Sequence, residues 1–180
     1  VSRFVADQCG VERHRQLGCS EQGYEPAAWQ QFAELGWLAM PFAEEQGGIG
    51  GTAVDVMVTS EALGRGLSRE PFLSTVVCCG GFLRRASAKQ RARYIPGIID
   101  GSNQWAFACA EKGAGYALNA VGCSAVSDPE GYRLNGEKIT VLNGHCADYL
   151  VVTARSAGGF RDALGISLFI VDASLPGVSV

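Results

Sequence analysis

Apolar residues recur at helical spacing through the first hundred positions and at alternating spacing beyond them, so the chain reads as an α segment followed by a β segment. Val1 to Cys9 reads as the end of a helix. Pro26 suits the first turn of another, in which Trp29, Phe32 and Ala33 share a face before Gly36 ends it. Thr52, with Asp55 three residues on, predicts the next helix start, and Val54, Met57, Val58 and Ala62 form an apolar stripe assigned to the core. Glu70-Pro71 restarts the chain into a run through Leu83 that is apolar all round, which predicts a helix enclosed by its neighbours. Ser87 and Gln90 match a capping box. The helix they open carries Tyr94, Ile95, Ile98 and Ile99 inward, with a kink expected at Pro96.

Gly101-Ser102-Asn103 marks a boundary between domains at 1–103 and 104–180. Beyond it, short strands are predicted at Val121–Val126, Tyr132–Leu134, Lys138–Leu142, Tyr149–Ala154 and Ile166–Val171. Trp105, Phe107 and Cys109 alternate with Ala106, Ala108 and Ala110, giving one bulky face and one of small residues. Asn135-Gly136 predicts a tight hairpin with a type I′ turn. The glycines of Glu111–Gly115 break the first strand and bring backbone N–H groups close to whatever lies above them. A flat strand surface beside a glycine-opened edge suits a planar ligand.

Composition narrows the function classes. With 47% apolar residues the 180-residue chain can bury a core and is not intrinsically disordered. A net charge of −3 without a long basic run leaves no electrostatic footprint for nucleic acid. The longest apolar run, near Leu73–Leu83, is too short and too interrupted to span a bilayer. Seven dispersed cysteines without a Cys-x-x-Cys spacing, and two histidines, give no metal-ligand cluster. They fit buried thiols in a reducing compartment, so a cytoplasmic location is expected; no secretory signal opens the chain. The glycines at 47, 48, 50 and 51 lack the preceding strand and the Lys-Ser/Thr pair of a phosphate-binding loop, and read as a tight interhelical turn.

Three segments carry a resemblance: Phe107-Ala-Cys-Ala-Glu-Lys-Gly-Ala-Gly115, Leu134-Asn-Gly-Glu-Lys138, and Asn143-Gly144 followed by Ala147-Asp-Tyr-Leu-Val-Val-Thr-Ala-Arg155. With Pro41 through Gly51 and Glu61–Arg65 upstream, the chain resembles the acyl-CoA dehydrogenase family over nearly its whole length. The resemblance implies an α+β fold: an N-terminal all-α helical domain, then an antiparallel β-barrel-like domain, incomplete here, with the C-terminal helical domain absent. In the family a helix in the Cys78–Gly81 region helps to line the acyl cavity, and the small residues there would leave room.

The implied reaction is α,β-dehydrogenation of an acyl-CoA thioester in lipid or sterol side-chain oxidation. A carboxylate base removes the α-proton while FAD accepts the β-hydrogen as hydride. The family's base lies in the C-terminal domain, so none is assigned here, and Glu111 is read as scaffold. Carried over residue by residue, the flavin-facing positions are Phe107, Cys109, Ala110, Gly115, Tyr116, Thr140 and Leu142, with Tyr116 also facing substrate. Several depart from the family pattern. Ala110 stands where Thr is usual, Leu142 where Thr or Ser is usual, Tyr116 where Ser is usual, Ala117 where Asp is usual, and Thr140 where an aromatic packs on the ring. Each lost hydrogen bond costs about 0.5–1.5 kcal/mol. The implied partners are acyl-CoA, an electron-transfer flavoprotein and further subunits, identical or paralogous. A flavin-poor, non-catalytic partner subunit is one alternative, and a flavin monooxygenase on the same fold is another.

Overall fold

The computed structural model describes residues 1–129 and 131–180. They form two compact units, Val1–Trp105 and Ala106–Val180.

The first unit is helical: α1 Ser2–Gln8, α2 Val11–Gly18, α3 Pro26–Glu34, α4 Ala53–Arg65, a π-helical stretch Leu73–Cys79 that runs into α5 Gly80–Leu83, and α6 Ala88–Ile99. Its centre is aromatic. Phe4, Phe32 and Trp37 pack against one another, with ring centroids 4.7–5.6 Å apart, and the Trp29 indole N–H donates to the Gly101 carbonyl at 3.1 Å, tying α3 to the end of α6. Both capping boxes form: the Thr52 hydroxyl accepts from the Asp55 N–H, and the Ser87 hydroxyl from the Gln90 N–H. The glycine cluster is an interhelical turn. A Cβ on Gly48 would lie 2.0 Å from the Phe42 carbonyl oxygen, so only a residue without one permits that approach.

Two helical expectations change. On α4, Val54, Met57 and Val58 are 60%, 58% and 54% exposed, while Thr59, Ala62 and Leu63 are buried. Residues 59, 62, 63 and 66 form a second stripe at helical spacing. The small residues along it let α4 approach α1 closely, as Gly66 does against Val5. Close approach decides the face, at the expense of the larger side chains. The 71–83 run is not an enclosed α-helix either, since Leu73 and Cys78 are exposed. Its β-branched centre takes the wider π turn. There the buried Thr75 hydroxyl accepts from the Trp105 N–H at 2.9 Å and donates to the Trp105 carbonyl at 3.1 Å. Helix α6 runs through Pro96, which is exposed, with Ile95 and Ile98 buried and Tyr94 and Ile99 half-buried.

The second unit is a sheet of β1 Trp105–Ala108, β2 Ser124–Asp128, β3 Gly131–Asn135, β4 Tyr149–Arg155 and β5 Ile166–Asp172. Strand β4 is central. It pairs antiparallel with β5 along its whole length, and its other edge meets β1 and β2. The expected barrel is an open sheet, and it is not wholly antiparallel, because β2 meets β4 in parallel at Ser124–Arg155. Ring contact, not strand pairing, draws its outer strands together: Tyr132 on β3 and Phe169 on β5 pack edge-on at 5.1 Å. The concave face buries Ala106, Ala108, Cys123, Ala125 and Ala154 and leaves a cavity of about 710 Å³ lined by Leu134, Val141, Leu150, Val152, Val171 and Val178.

The hairpin lies elsewhere than expected. Antiparallel pairing runs from Ser124–Asn135 to Asp128–Gly131, so the hairpin turns beyond Asp128 and Asn135 ends β3. Gly136 has an extended backbone (φ 159°) and not the left-handed one of a type I′ turn. It is glycine because a Cβ would sit 2.6 Å from the Cys123 Cα, where the chain crosses β2. Residues 138–142 consequently leave the sheet, and Thr140 takes a left-handed φ of 51°.

Arg155, at the end of β4, is buried and donates to six carbonyls: Nε to Val121, Nη1 to Ala157 and Leu164, and Nη2 to Asn119, Phe160 and Asp162, at 2.8–3.4 Å. One guanidinium thus shapes the loops at 119–121 and 157–164. Arg155→Ala is expected to lower stability by roughly 3 kcal/mol or more, and Arg155→Lys by less, because an ammonium keeps the charge but not the fork. Urea denaturation followed by circular dichroism measures both; equal losses for the two variants would contradict this role.

Candidate functional site

The positions expected to face a planar ligand lie where β1 runs out and the 136–144 segment passes it. Ala106 and Ala108 point into the core, so Phe107 alternates to the opposite face of β1, half-buried, and the chain continues through Cys109 and Ala110. The Ile139 N–H donates to the Ala110 carbonyl at 2.9 Å and sets the two segments side by side. A turn follows at 112–116. Gly115 has φ 57°, and a Cβ there would meet nothing within 4 Å. Tyr116 is fully exposed, so within this unit it leaves the turn at Gly115 open. Leu142 is exposed, and Thr140 lines the mouth of the concave cavity with Glu137 and Lys138. The structure therefore brings Ala110 beside residues 138–140, while Phe107 and Thr140 serve different faces and Tyr116 stands apart.

What joins these pieces is Glu111. Its Oε2 accepts from the Gly122 N–H at 2.7 Å, and its Oε1 from the Cys123 N–H at 3.0 Å and from Lys138 Nζ at 2.5 Å. Lys138 also donates to the Thr153 hydroxyl at 2.8 Å. Both charged side chains are more than nine-tenths buried. Burial by itself raises the Glu111 pKa, but the bonds from Lys138 and the two backbone N–H groups outweigh it and hold the carboxyl below its ordinary 4.5. A carboxylate so engaged is a brace and is poorly placed to take a proton from a ligand. Sequence reading singled out Glu111 but not Lys138 or Thr153. The available signal was a lysine among apolar neighbours, two residues past the glycine that crosses β2.

Main-chain donors remain. The N–H groups of Ala110, Gly115, Thr140 and Leu142 have no acceptor among the described residues. The surface presents amides where hydroxyls at 110 and 142 were expected. Among the described residues no group of three or more His, Cys, Asp and Glu could hold a metal, and no helix is long and apolar enough to cross a membrane.

Because the folded pKa of Glu111 is depressed, its contribution to stability is complete above the ordinary carboxylate pKa and is lost as pH falls through the lower folded value. Glu111→Gln is expected to cost about 3 kcal/mol at pH 7, since it leaves Lys138 buried without its counter-charge, and to flatten the fall in stability below pH 4.5. Denaturant midpoints between pH 7 and pH 3 measure this; an unchanged pH slope in the variant would contradict it.

Comparison with known proteins agrees with this architecture. Residues 1–102 match the acyl-CoA dehydrogenase N-terminal domain and residues 106–180 the acyl-CoA dehydrogenase middle domain. The mitochondrial isovaleryl-CoA dehydrogenase of Arabidopsis thaliana is 28% identical over 186 residues, spanning 99% of this chain and 44% of its own. A solved steroid acyl-CoA dehydrogenase, the Tcur3481-Tcur3483 G363A variant, superposes with a TM-score of 0.86 at 32% identity, over 98% of this chain and 46% of that one. The ChsE4-ChsE5 complex of Mycobacterium tuberculosis gives 0.84 at 28% identity, over 99% and 46%. The chain spans about half the length of the curated relatives it matches. It belongs to the acyl-CoA dehydrogenase family.

Proposed function

We propose that this chain is part of a flavin-dependent dehydrogenase acting on an acyl-CoA thioester, with electrons passed on to an electron-transfer flavoprotein. The observation that carries this reading is that the amides of Ala110, Gly115, Thr140 and Leu142 are unengaged among the described residues, in segments that the Glu111–Lys138 pair and the Ile139–Ala110 bond bring together. These residues fit the polar edge of an isoalloxazine through the main chain. FAD, when bound, supplies the hydride acceptor for α,β-dehydrogenation. The chain's own contribution is to orient that edge with amides, to offer Phe107 and Cys109 as contact area, and to leave space at Gly115. No residue of the chain is given the role of base. A lipid or sterol side chain is the proposed acyl class, supported by the likeness to a steroid acyl-CoA dehydrogenase. The proposed setting is the cytoplasm.

A second reading rests on the side chains. Ala110 and Leu142 offer no hydroxyl, and Leu142 presents an exposed apolar group to the same edge. Polar ring atoms set against it lose water without gaining a partner. On this reading the chain is a flavin-poor subunit working beside a competent paralogue, and the likeness to a two-protein complex supports it. The monooxygenase alternative has no observation in its favour.

Flavin titration of the natural full-length protein, alone and with its paralogous subunit, separates the two. If amides suffice, the protein purified alone keeps stoichiometric FAD. If the site is weakened, it is colourless alone. The variant Ala110→Thr, Tyr116→Ser, Leu142→Thr then binds FAD about ten- to a hundredfold more tightly, as two restored hydrogen bonds would give. Loss of FAD by the protein alone, with no gain in the triple variant or the mixed oligomer, would contradict both.

A further inference from the structure

The glycine-rich turn at 41–51 is not absorbed by the flavin surface. Its amides face inward: the N–H groups of Gly48, Ile49, Gly50 and Gly51 donate to the carbonyls of Ala43, Ala39, Phe42 and Met40. The loop therefore cannot cradle an anion with its own backbone, as a phosphate-binding loop does. It forms instead one wall of a groove whose other wall is cationic. A cavity of about 490 Å³ is lined by Pro41, Gly50, Glu45, Gln46, Arg84 and Arg91, and a second of about 400 Å³ shares Glu45, Gln46 and Arg91 and continues over Ala88, Ala92 and Pro96.

Both guanidiniums are tethered. Arg84 Nη1 donates to the Pro41 carbonyl at 3.2 Å and Arg91 Nη1 to the Ala86 carbonyl at 2.6 Å, and the other N–H groups of each have no acceptor among the described residues. Glu45 lines both cavities, yet among the described residues no ion pair joins it to either arginine. Opposite charges that share a groove without meeting leave room for a third group between them. Arg85, Lys89 and Arg93, which line neither cavity, add to the positive charge of this stretch, and no acidic residue occurs from Arg84 to Ile99.

We propose that this groove is a binding site for a phosphate monoester, its dianionic phosphate between Arg84 and Arg91 and its organic part over Ala88, Ala92 and Pro96. Two planar forks suit the oxygens of one phosphate. The Glu45 carboxylate reduces the net positive charge of the groove, so every anion is held less strongly than by the arginines alone and a dianion keeps about twice the net attraction of a monoanion. The apolar side of the second cavity, Ala88, Ala92 and Pro96, gives an ester an advantage over the bare ion. None of this rests on the flavin surface, so the site stands or falls independently of the proposed activity.

The test is titration of the natural full-length protein with phenyl phosphate, inorganic phosphate and benzoate, followed by calorimetry and by NMR shifts of arginine side chains. Phenyl phosphate is expected to saturate and to bind several-fold more tightly than inorganic phosphate, with benzoate weaker than either. Its affinity should fall between pH 7.5 and pH 5, as the phosphate loses its second charge near pH 6. Arg84→Ala and Arg91→Ala should each weaken it about tenfold, and Glu45→Gln should tighten it. Arg84→Lys and Arg91→Lys, gentler on the fold, should give intermediate losses. The pair Arg85→Ala, Arg93→Ala, outside the groove, should change it less than about twofold. The proposal is overturned if phenyl phosphate does not saturate, if inorganic phosphate binds as well, if the Arg85, Arg93 pair costs as much as the groove arginines, or if Glu45→Gln has no effect.

Discussion

The Glu111 carboxylate is the point on which the β unit turns. One side chain there satisfies two backbone N–H groups at the entry to β2 and the ammonium of Lys138, which in turn holds Thr153 on β4. Three stretches distant in sequence meet at a single charge. A carboxylate and an ammonium removed from water repay their desolvation when every lone pair and proton finds a partner, and here the partners are named and close. The Ala110 carbonyl and the 138–140 segment take their positions from this brace, because residue 110 precedes Glu111 and residue 139 follows Lys138. The main chain at residue 110 and at 138–140 is therefore held in place by one buried charge pair.

Arg155 does for the carbonyls of the loops at 119–121 and 157–164 what Glu111 does for the N–H groups of Gly122 and Cys123. Six carbonyls converge on its guanidinium, from segments that carry few apolar side chains to bury. Loops without a core must satisfy their carbonyls by some other means, and a buried arginine offers five N–H donors in one rigid plane. Both groups converge on residues 119–123 at the entry to β2, so the order there comes from two buried charges as much as from the alanines and valines of the concave face.

Much of this was legible in the chain. Pro26, the Thr52–Asp55 and Ser87–Gln90 boxes and the Gly101–Asn103 break are local signals, complete within four residues, and local signals survive folding. What was not legible depended on contacts distant in sequence. Helix α4 carries two stripes at helical spacing, and hydrophobicity favours the one that folding leaves outside. The stripe with Ala62 and Gly66 wins because small residues allow α1 to come close. Asn135-Gly136 has the composition of a hairpin turn, but its glycine answers to Cys123, thirteen residues earlier, and not to its neighbour. The π turn at 73–79 needs Thr75 to reach the backbone of Trp105, which no window of local sequence contains.

The segments at 107–116 and 138–142 show the same division. Residue types at 110, 116 and 142 argue from side chains and point to a loss of hydrogen bonding. The backbone argues differently, because glycine turns and a left-handed residue such as Thr140 release amides that a regular strand would have consumed. A hydroxyl and an amide are both single donors to a ring acceptor, but they differ in what fixes them. A threonine hydroxyl rotates and is lost with one substitution. An amide is held by the path of the chain, which here is set by the Glu111–Lys138 pair, Gly136 and the Ile139–Ala110 bond. Side-chain donors at such a surface can thus drift while the main-chain row persists, as long as the brace is kept. That gives a physical reason why family membership is plain in this chain while the residue types at 110, 116 and 142 depart from those the resemblance implies.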